Sequence, residues 1–150
     1  MKRTLAAAAV LAALAPFAAQ AQFAKPEDAI KYRQSAYSLL GAHFGRIGAM
    51  VNGRIPYDAK IAGENAALLA TLSKLPGAAF PAGSEAGGTP PTRAKAEIWK
   101  DTAKFQAAYD KMVTEIAKLP AAAGDAGTLK TAFGAAAATC KACHDDFRRD

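Results

Sequence analysis

The sequence predicts an all-α protein, an antiparallel up-down-up-down four-helix bundle, and three observations carry that expectation. Hydrophobic residues make up 51% of the 150-residue chain, but alanine inflates this figure and β-branched residues are scarce. Alanine is the strongest helix former and strands favour β-branched side chains, so an all-β fold is close to excluded. Four stretches carry apolar residues in alternating steps of three and four, the spacing of a single helix face. Turns rich in Gly and Pro separate them, so successive helices run antiparallel.

The chain opens with Lys2 and Arg3, an apolar run from Leu5 to Ala15, and Ala19-Gln20-Ala21, with small residues at the positions a signal peptidase reads. Residues 1–21 therefore read as a cleaved secretory signal, and residues 22–150 as one domain exported to the bacterial periplasm. A membrane anchor is the weaker reading, because a span needs about 20 apolar residues and Pro16 interrupts the run. No later segment is apolar enough to span, so no membrane insertion is expected. The 19 basic and 13 acidic side chains give a net charge of +6. Without Lys2 and Arg3, 17 basic residues remain and the excess falls to +4. These charges are scattered and lack an aromatic-plus-Arg platform, so no nucleic-acid partner is expected.

Lys25-Pro26-Glu27-Asp28 starts the first helix, with proline in the first turn and acids at the positive end of the dipole. Its stripe is Ile30, Arg33, Tyr37, Leu40, Phe44, Ile47 and Val51; Asn52-Gly53 ends it and Pro56 marks a turn. Asp58 caps a second helix with inner residues Ile61, Leu68, Leu72 and Leu75, ended by Pro76-Gly77. Residues 76–93 form a loop and not a domain boundary, since neither flanking half could bury its stripe alone. The third helix is expected from about Thr92, through Ile98, Thr102, Phe105, Tyr109, Met112, Ile116 and Leu119, until Pro120. A short Ala/Gly connection leads to Asp125 and the last helix, with Leu129, Phe133, Ala136, Cys140, Cys143 and Phe147.

That helix carries Cys140-Lys141-Ala142-Cys143-His144, which holds both cysteines and one of the two histidines of the chain. Two thiols three residues apart, followed directly by histidine, match the attachment of a covalent c-type haem. Cys140 and Cys143 would add to the porphyrin vinyl groups, and His144 would be the axial iron ligand. With about 100° per residue, Cys143 and His144 fall roughly 60° and 40° to either side of Cys140, and Phe133 and Phe147 about 20° from it. The ligand face is thus the core face. Gly134 and Ala135 to Ala138 give it little bulk, through helix propensity or to make room for a flat macrocycle. Three rivals meet physical objections. A structural zinc needs four ligands, and only His43 remains as an obvious candidate. A reactive dithiol needs a helix N-terminus to stabilise thiolate, whereas this pair lies near a C-terminus. A plain disulfide is the bland alternative in an oxidising compartment.

From Lys25-Pro26-Glu27-Asp28-Ala29 through Tyr32-Arg33-Gln34, Pro56-Tyr57-Asp58 and Glu97-Ile98-Trp99 to the haem motif, the chain resembles the cytochrome c′ family, the class II cytochromes c. The motif alone is shared by many cytochromes; its position in the fourth helix makes the likeness specific. Ordinary carrier cytochromes place it near the N-terminus and reach a methionine far downstream, whereas only six residues follow His144.

The resemblance implies a haem face covered by the first helix, with Tyr37 nearest the iron. Six-coordinate relatives use a methionine in this helix. Met50 lies about 140° round from Tyr37 and about 19 Å along the axis, and His43 about 120° round; Met112 reads as core. A five-coordinate, largely high-spin iron is therefore expected, with coordination by a deprotonated Tyr37 the remote alternative. By the same resemblance Arg33 and Gln34 partner a haem propionate, where the bland reading of Arg33 is a surface side chain. Arg148 sits beside the proximal imidazole or merely offsets the helix dipole. Trp99 and Phe80 pack on the haem edge or the core, and Asp145 and Asp146 read as solvated surface. Gly41, Gly45 and Gly48 suit either homodimer pairing through the first helix or close packing inside one bundle.

The expected function is a haem c protein, one haem per chain, that binds small gases (NO and CO) and exchanges electrons with periplasmic redox proteins. The alternative is a simple electron carrier with six-coordinate, low-spin haem. No enzyme is expected: a peroxidase needs a distal acid–base group, and neither His43 nor a carboxylate shares the Tyr37 face.

Overall fold

The structure, a computed structural model, describes residues 22–149; the expected signal segment, residues 1–21, lies outside the described residues. Helix α1 spans Pro26–Val51, with Pro26 in the first turn and Glu27 and Asp28 at the positive end. It stops at Asn52, whose backbone and side-chain amides both donate to the Gly48 carbonyl. Gly53 then turns the chain at φ +69°, a conformation open to glycine because it has no Cβ. Helix α2 spans Ala59–Leu72 and is capped by the Asp58 carboxylate, which accepts from the Ile61 N–H.

After a 3-10 turn at Pro76–Ala78 and a loop, α3 (Glu97–Lys100), α4 (Thr102–Ile116), α5 (Leu119–Ala122) and α6 (Ala126–Phe147) follow. The four long helices close a ring, α1 against α2 and α6, and α4 against α6 and α2. The fold is the expected all-α four-helix bundle. Ile47, Leu69, Ile116, Leu119 and Leu129 are fully buried in its main core. Ile98, Phe105 and Phe147 make a second cluster, with Phe80, Trp99 and Cys143 packed against it. No described helix is long and apolar enough to cross a membrane.

The third helix is not continuous from Thr92. Residues 92–95 are held in an antiparallel pairing with the chain after α6: Ala94 bridges Arg148, the Lys95 N–H donates to Phe147 O (2.9 Å), and the Arg149 N–H to Arg93 O (2.8 Å). Asp101 then breaks the helix at φ −127° and caps α4 through its carboxylate on the Lys104 N–H. Aspartate competes with a continuing helix by bonding nearby backbone N–H groups. Pro120 does not end this helix either; α4 stops at Ile116, and Pro120 lies in the first turn of α5. The expected Ala/Gly connection is thus partly helical.

The α2 stripe is also shifted. The buried residues are Ala62, Asn65, Ala66 and Leu69, while Leu68 is 47% and Leu75 37% exposed. Small alanines let α2 lie close to its neighbours, and the expected Ile61-Leu68-Leu72-Leu75 face is turned toward the edge. Apolar spacing located the helix but not its rotation, because alanine counts little as an apolar signal and much as a close contact.

Candidate haem site

Helix α6 runs without a break through Cys140, Cys143 and His144, so the three side chains share one face, as their spacing requires. Asp125 starts this helix by accepting from both the N–H and the hydroxyl of Thr128 at 2.8 Å. Cys140 packs against the main core and Cys143 against the aromatic cluster, so the thiols sit where the two clusters meet. Both are unpaired and partly buried. Burial pushes both thiols above their ordinary range, and for Cys143 its neighbour Cys140 adds to the effect. That is the opposite of a reactive dithiol, which needs stabilised thiolate. Among the described residues, no three His, Cys, Asp or Glu side chains gather to hold a bare metal ion.

The His144 Nδ1 atom lies 3.3 Å from Arg148 Nη1. A guanidinium only donates, so in this contact Nδ1 accepts and the neutral imidazole carries its proton on Nε2; ligation through Nε2 requires the other tautomer, with the proton moved to Nδ1 and Arg148 turned away. His144 itself is exposed, not turned into the core as Cys140 and Cys143 are; partial desolvation, then Arg148 and Arg93, hold the imidazole below its ordinary pKa, favouring the neutral form that ligates metals.

Across the bundle, Tyr37 on α1 is half-buried. Burial raises its phenol well above the ordinary range; the nearby Cys143, Tyr109 and Cys140 push the same way and Arg33 opposes them. The phenol is therefore within electrostatic reach of both thiols. Phe133 stacks on Phe44, with ring centroids 4.3 Å apart. Phe147 is buried and meets Phe105 edge-on at 5.4 Å. The other candidate ligands are engaged elsewhere: Met50 and Met112 are buried in the main core, and His43 Nδ1 bonds Asn65 Oδ1 at 2.8 Å.

Arg33 is not a surface arginine; it is 3% exposed. Its Nη1 donates to Ala79 O and Ser84 Oγ, and its Nη2 to Ser84 O and Thr92 Oγ1. Its guanidinium lies 4.9 Å from the Phe80 ring centroid and 5.6 Å from that of Trp99. The Trp99 indole N–H is shared between Phe80 O and Pro81 O, and Gln34 donates to Pro90 O at 2.9 Å. Arg33, Gln34 and Trp99 therefore all grip the 79–92 loop. Asp145 and Asp146 are exposed and pair with Lys141 and Lys104. Sequence reasoning did not gather Arg93, Lys95 and Arg149 around His144, although they line a common cavity with it. Their distance along the chain gives no periodic signal; only the 92–95 pairing with the C-terminal segment brings them together.

Two protonated thiols one turn apart, an imidazole directly after the second, and an opposing tyrosine within electrostatic reach fit a covalently held haem. The comparisons agree. The family profile described as Cytochrome C′ matches residues 28–148. Cytochrome c′ of Rubrivivax gelatinosus is 50% identical over 129 residues, covering 85% of this chain and 98% of that protein. Cytochrome c′ of Alcaligenes xylosoxydans xylosoxydans is 50% identical over 130 residues, with the same shares covered. The Rubrivivax crystal structure superposes with a TM-score of 0.81 at 50% identity, covering 85% of this chain and all of that one. A nitric oxide complex of a leucine-to-alanine mutant of the Alcaligenes xylosoxidans protein superposes at 0.79 with 49% identity, covering 86% of this chain and 99% of that one. With a four-helix bundle, a Cys-x-x-Cys-His face on its last helix and these relatives over nearly the whole described chain, the protein belongs to the cytochrome c′ family and carries haem c.

Proposed function

We propose that this protein is a periplasmic gas-binding cytochrome c′, with five-coordinate, high-spin iron, that takes NO and CO and also exchanges electrons with redox partners. The observation that carries this reading is the placement of the other candidate sixth ligands among the described residues: Met50 and Met112 lie in the core, and His43 is bonded to Asn65. Tyr37, which the family places nearest the iron, has a phenol whose burial keeps it neutral, and a neutral phenol is a poor ligand. The NO complex of the Alcaligenes relative supports the same ligand here.

When bound, the haem supplies an iron centre that takes diatomic ligands and cycles by one electron. Cys140 and Cys143 would fix it to α6 and His144 would hold its iron, with Arg148 beside the imidazole Nδ1. The Tyr37 ring would screen the side of the haem that α1 faces, so small diatomics would enter more readily than bulky ones. A binding role is favoured over catalysis, since by helix spacing neither His43 nor a carboxylate shares the Tyr37 face to move a proton.

Export through residues 1–21 and a homodimer through α1 belong to the same reading. Alanine side chains built at Gly41 and Gly45 would meet nothing within 4 Å, and Leu39 on the same helix is 52% exposed. These residues leave α1 a smooth outer face for a second copy.

The visible spectrum of the purified protein, oxidised, reduced and then under CO, tests the proposal. A broad high-spin ferrous spectrum that shifts with CO is expected. A sharp, split low-spin spectrum indifferent to CO would replace it with the six-coordinate electron carrier.

A further inference from the structure

Arg93, Lys95, Arg148 and Arg149, with His144 and Asp145, line a cavity of about 470 Å³ where the 92–95 segment meets the end of α6. None of the four cations pairs with a carboxylate among the described residues. The acids around them are already held: Asp145 by Lys141, Asp146 by Lys104, and Glu97 by Lys100. Positive charge is therefore concentrated at this end among the described residues.

The cations are also held in place. Besides the backbone pairing, Arg93 Nε donates to Arg149 O at 2.9 Å, Arg149 Nη2 to Thr92 O at 2.9 Å, and Lys95 Nζ to Asp145 O at 2.8 Å. Thr92 is anchored in turn by Arg33. Ordering these long side chains before a partner arrives lowers the entropic cost of docking. The guanidinium edges that remain free match carboxylates in a bidentate fork. No Phe, Tyr or Trp lines the cavity, so it lacks the aromatic platform on which successive nucleic-acid bases would stack.

We propose that Arg93, Lys95, Arg148 and Arg149 form a docking surface for a carboxylate-rich patch on a partner protein, beside the haem ligand His144. This rests on the electron-exchange half of the function proposed above and names the kind of partner it requires. Such a rim governs encounter rate and salt dependence more than affinity at high salt.

The test uses the holoprotein and a labelled oligo-glutamate peptide, followed by fluorescence anisotropy at low and at physiological salt. Binding that weakens with salt is expected. It should fall about tenfold in R93E/K95E at low salt, and stay unchanged in K74E/K111E, which alters net charge equally on exposed residues elsewhere. The neutral pair R93Q/K95Q keeps side-chain amides that donate to the same carbonyls, and should lose part of the affinity while helical circular dichroism stays intact. No binding, salt-independent binding, or equal losses in the two charge-reversed pairs overturns the proposal. Oxidation of the same reduced holoprotein by ferricyanide reads electron exchange separately. Peptide binding without that oxidation keeps the docking surface and removes the electron-transfer role; oxidation without peptide binding does the reverse.

Discussion

Arg33 on α1 and Ser84 in the long loop, 51 residues apart, meet through two hydrogen bonds: Nη1 to Oγ at 2.8 Å and Nη2 to the carbonyl at 2.6 Å. Both residues are buried, so neither has water to fall back on. Two further bonds reach Ala79 and Thr92, and one guanidinium thus fixes both ends of a loop with little apolar surface of its own. Replacing Arg33 with alanine leaves the Ala79 and Ser84 carbonyls without their donor, while the Ser84 and Thr92 hydroxyls keep Pro81 O and the Ala94 N–H, and should cost about 3 kcal/mol in urea unfolding. Lysine keeps the charge but not the planar fork, so R33K should fall between the two. A loss within error for both variants would mean the loop does not depend on this residue.

The three glycines of α1 separate by environment. A Cβ on Gly48 would lie 2.8 Å from Phe133 Cζ, while Gly41 and Gly45 have open space. Gly48→Ala forces the Phe44–Phe133 stack to shift and should destabilise the fold by about 1–3 kcal/mol. In the separated monomer, Gly41→Ala and Gly45→Ala should each stabilise by about 0.5–1 kcal/mol, because glycine costs a helix backbone entropy. The same two substitutions should weaken a dimer formed through α1, which sedimentation would show as a shift toward monomer. A dimer as tight as the parent's would place the contact elsewhere.

Asp125 accepts two bonds from Thr128 at the start of the haem helix, and the Thr128 backbone N–H, then its hydroxyl, hold its carboxyl below the ordinary range. A depressed folded-state pKa stabilises at pH above the ordinary aspartate value and loses that effect as pH falls through the folded value. Asp125→Ala should therefore melt lower than the parent at neutral pH, and the gap should narrow in acid. Asparagine retains the cap acceptor, so D125N should lose less. A gap that does not change with pH would assign the cost to something other than the ionised cap.

Because burial raises the Tyr37 phenol, its proton should stay on from neutral pH into the mildly alkaline range. The ferric spectrum should show no tyrosinate ligation band over that range, and Tyr37→Phe should leave coordination unchanged. Tyr37→Ala opens the screened face and should speed CO association about tenfold, the equivalent of 1.4 kcal/mol of barrier. An unchanged rate would show that the ring does not gate entry.

Covalent attachment has a direct check. Extraction with acidified acetone should leave haem on the parent, on Cys140→Ser and on Cys143→Ser, since one thioether suffices to retain it. The double variant should release it completely. Haem retained by the double variant would show that the thiols are not its anchor.

The order of the four long helices and most of their ends were legible in the sequence, because Asp58, Asp125, Asn52-Gly53 and Pro26 act within one turn of themselves, whereas the short helices α3 and α5 were not. The break at Asp101 was not, since an aspartate inside an apolar rhythm declares itself a cap only when residues 92–95 are drawn off to pair with the C-terminal segment. The rotation of α2 was hidden for a related reason. Ala62 and Ala66 are buried and Leu68 exposed, an outcome decided by how closely neighbouring backbones approach. The site was legible at its chemical centre and not around it. Cys140, Cys143 and His144 announce themselves by spacing, whereas the burial of Arg33, the engagement of Gln34 and the clustering of Arg93, Lys95 and Arg149 depend on contacts across more than fifty residues.

By itself the sequence determined the helical class, the four-stripe plan and the covalent chemistry of the last helix, because helix propensity, apolar period and thiol spacing are local properties of the chain. Only the tertiary structure decided which face of α1 is smooth and open, where the Arg33 guanidinium is held, and that four cations share one cavity with His144. Those outcomes depend on packing distance and on hydrogen bonds between distant segments, and such contacts exist only once the bundle has closed.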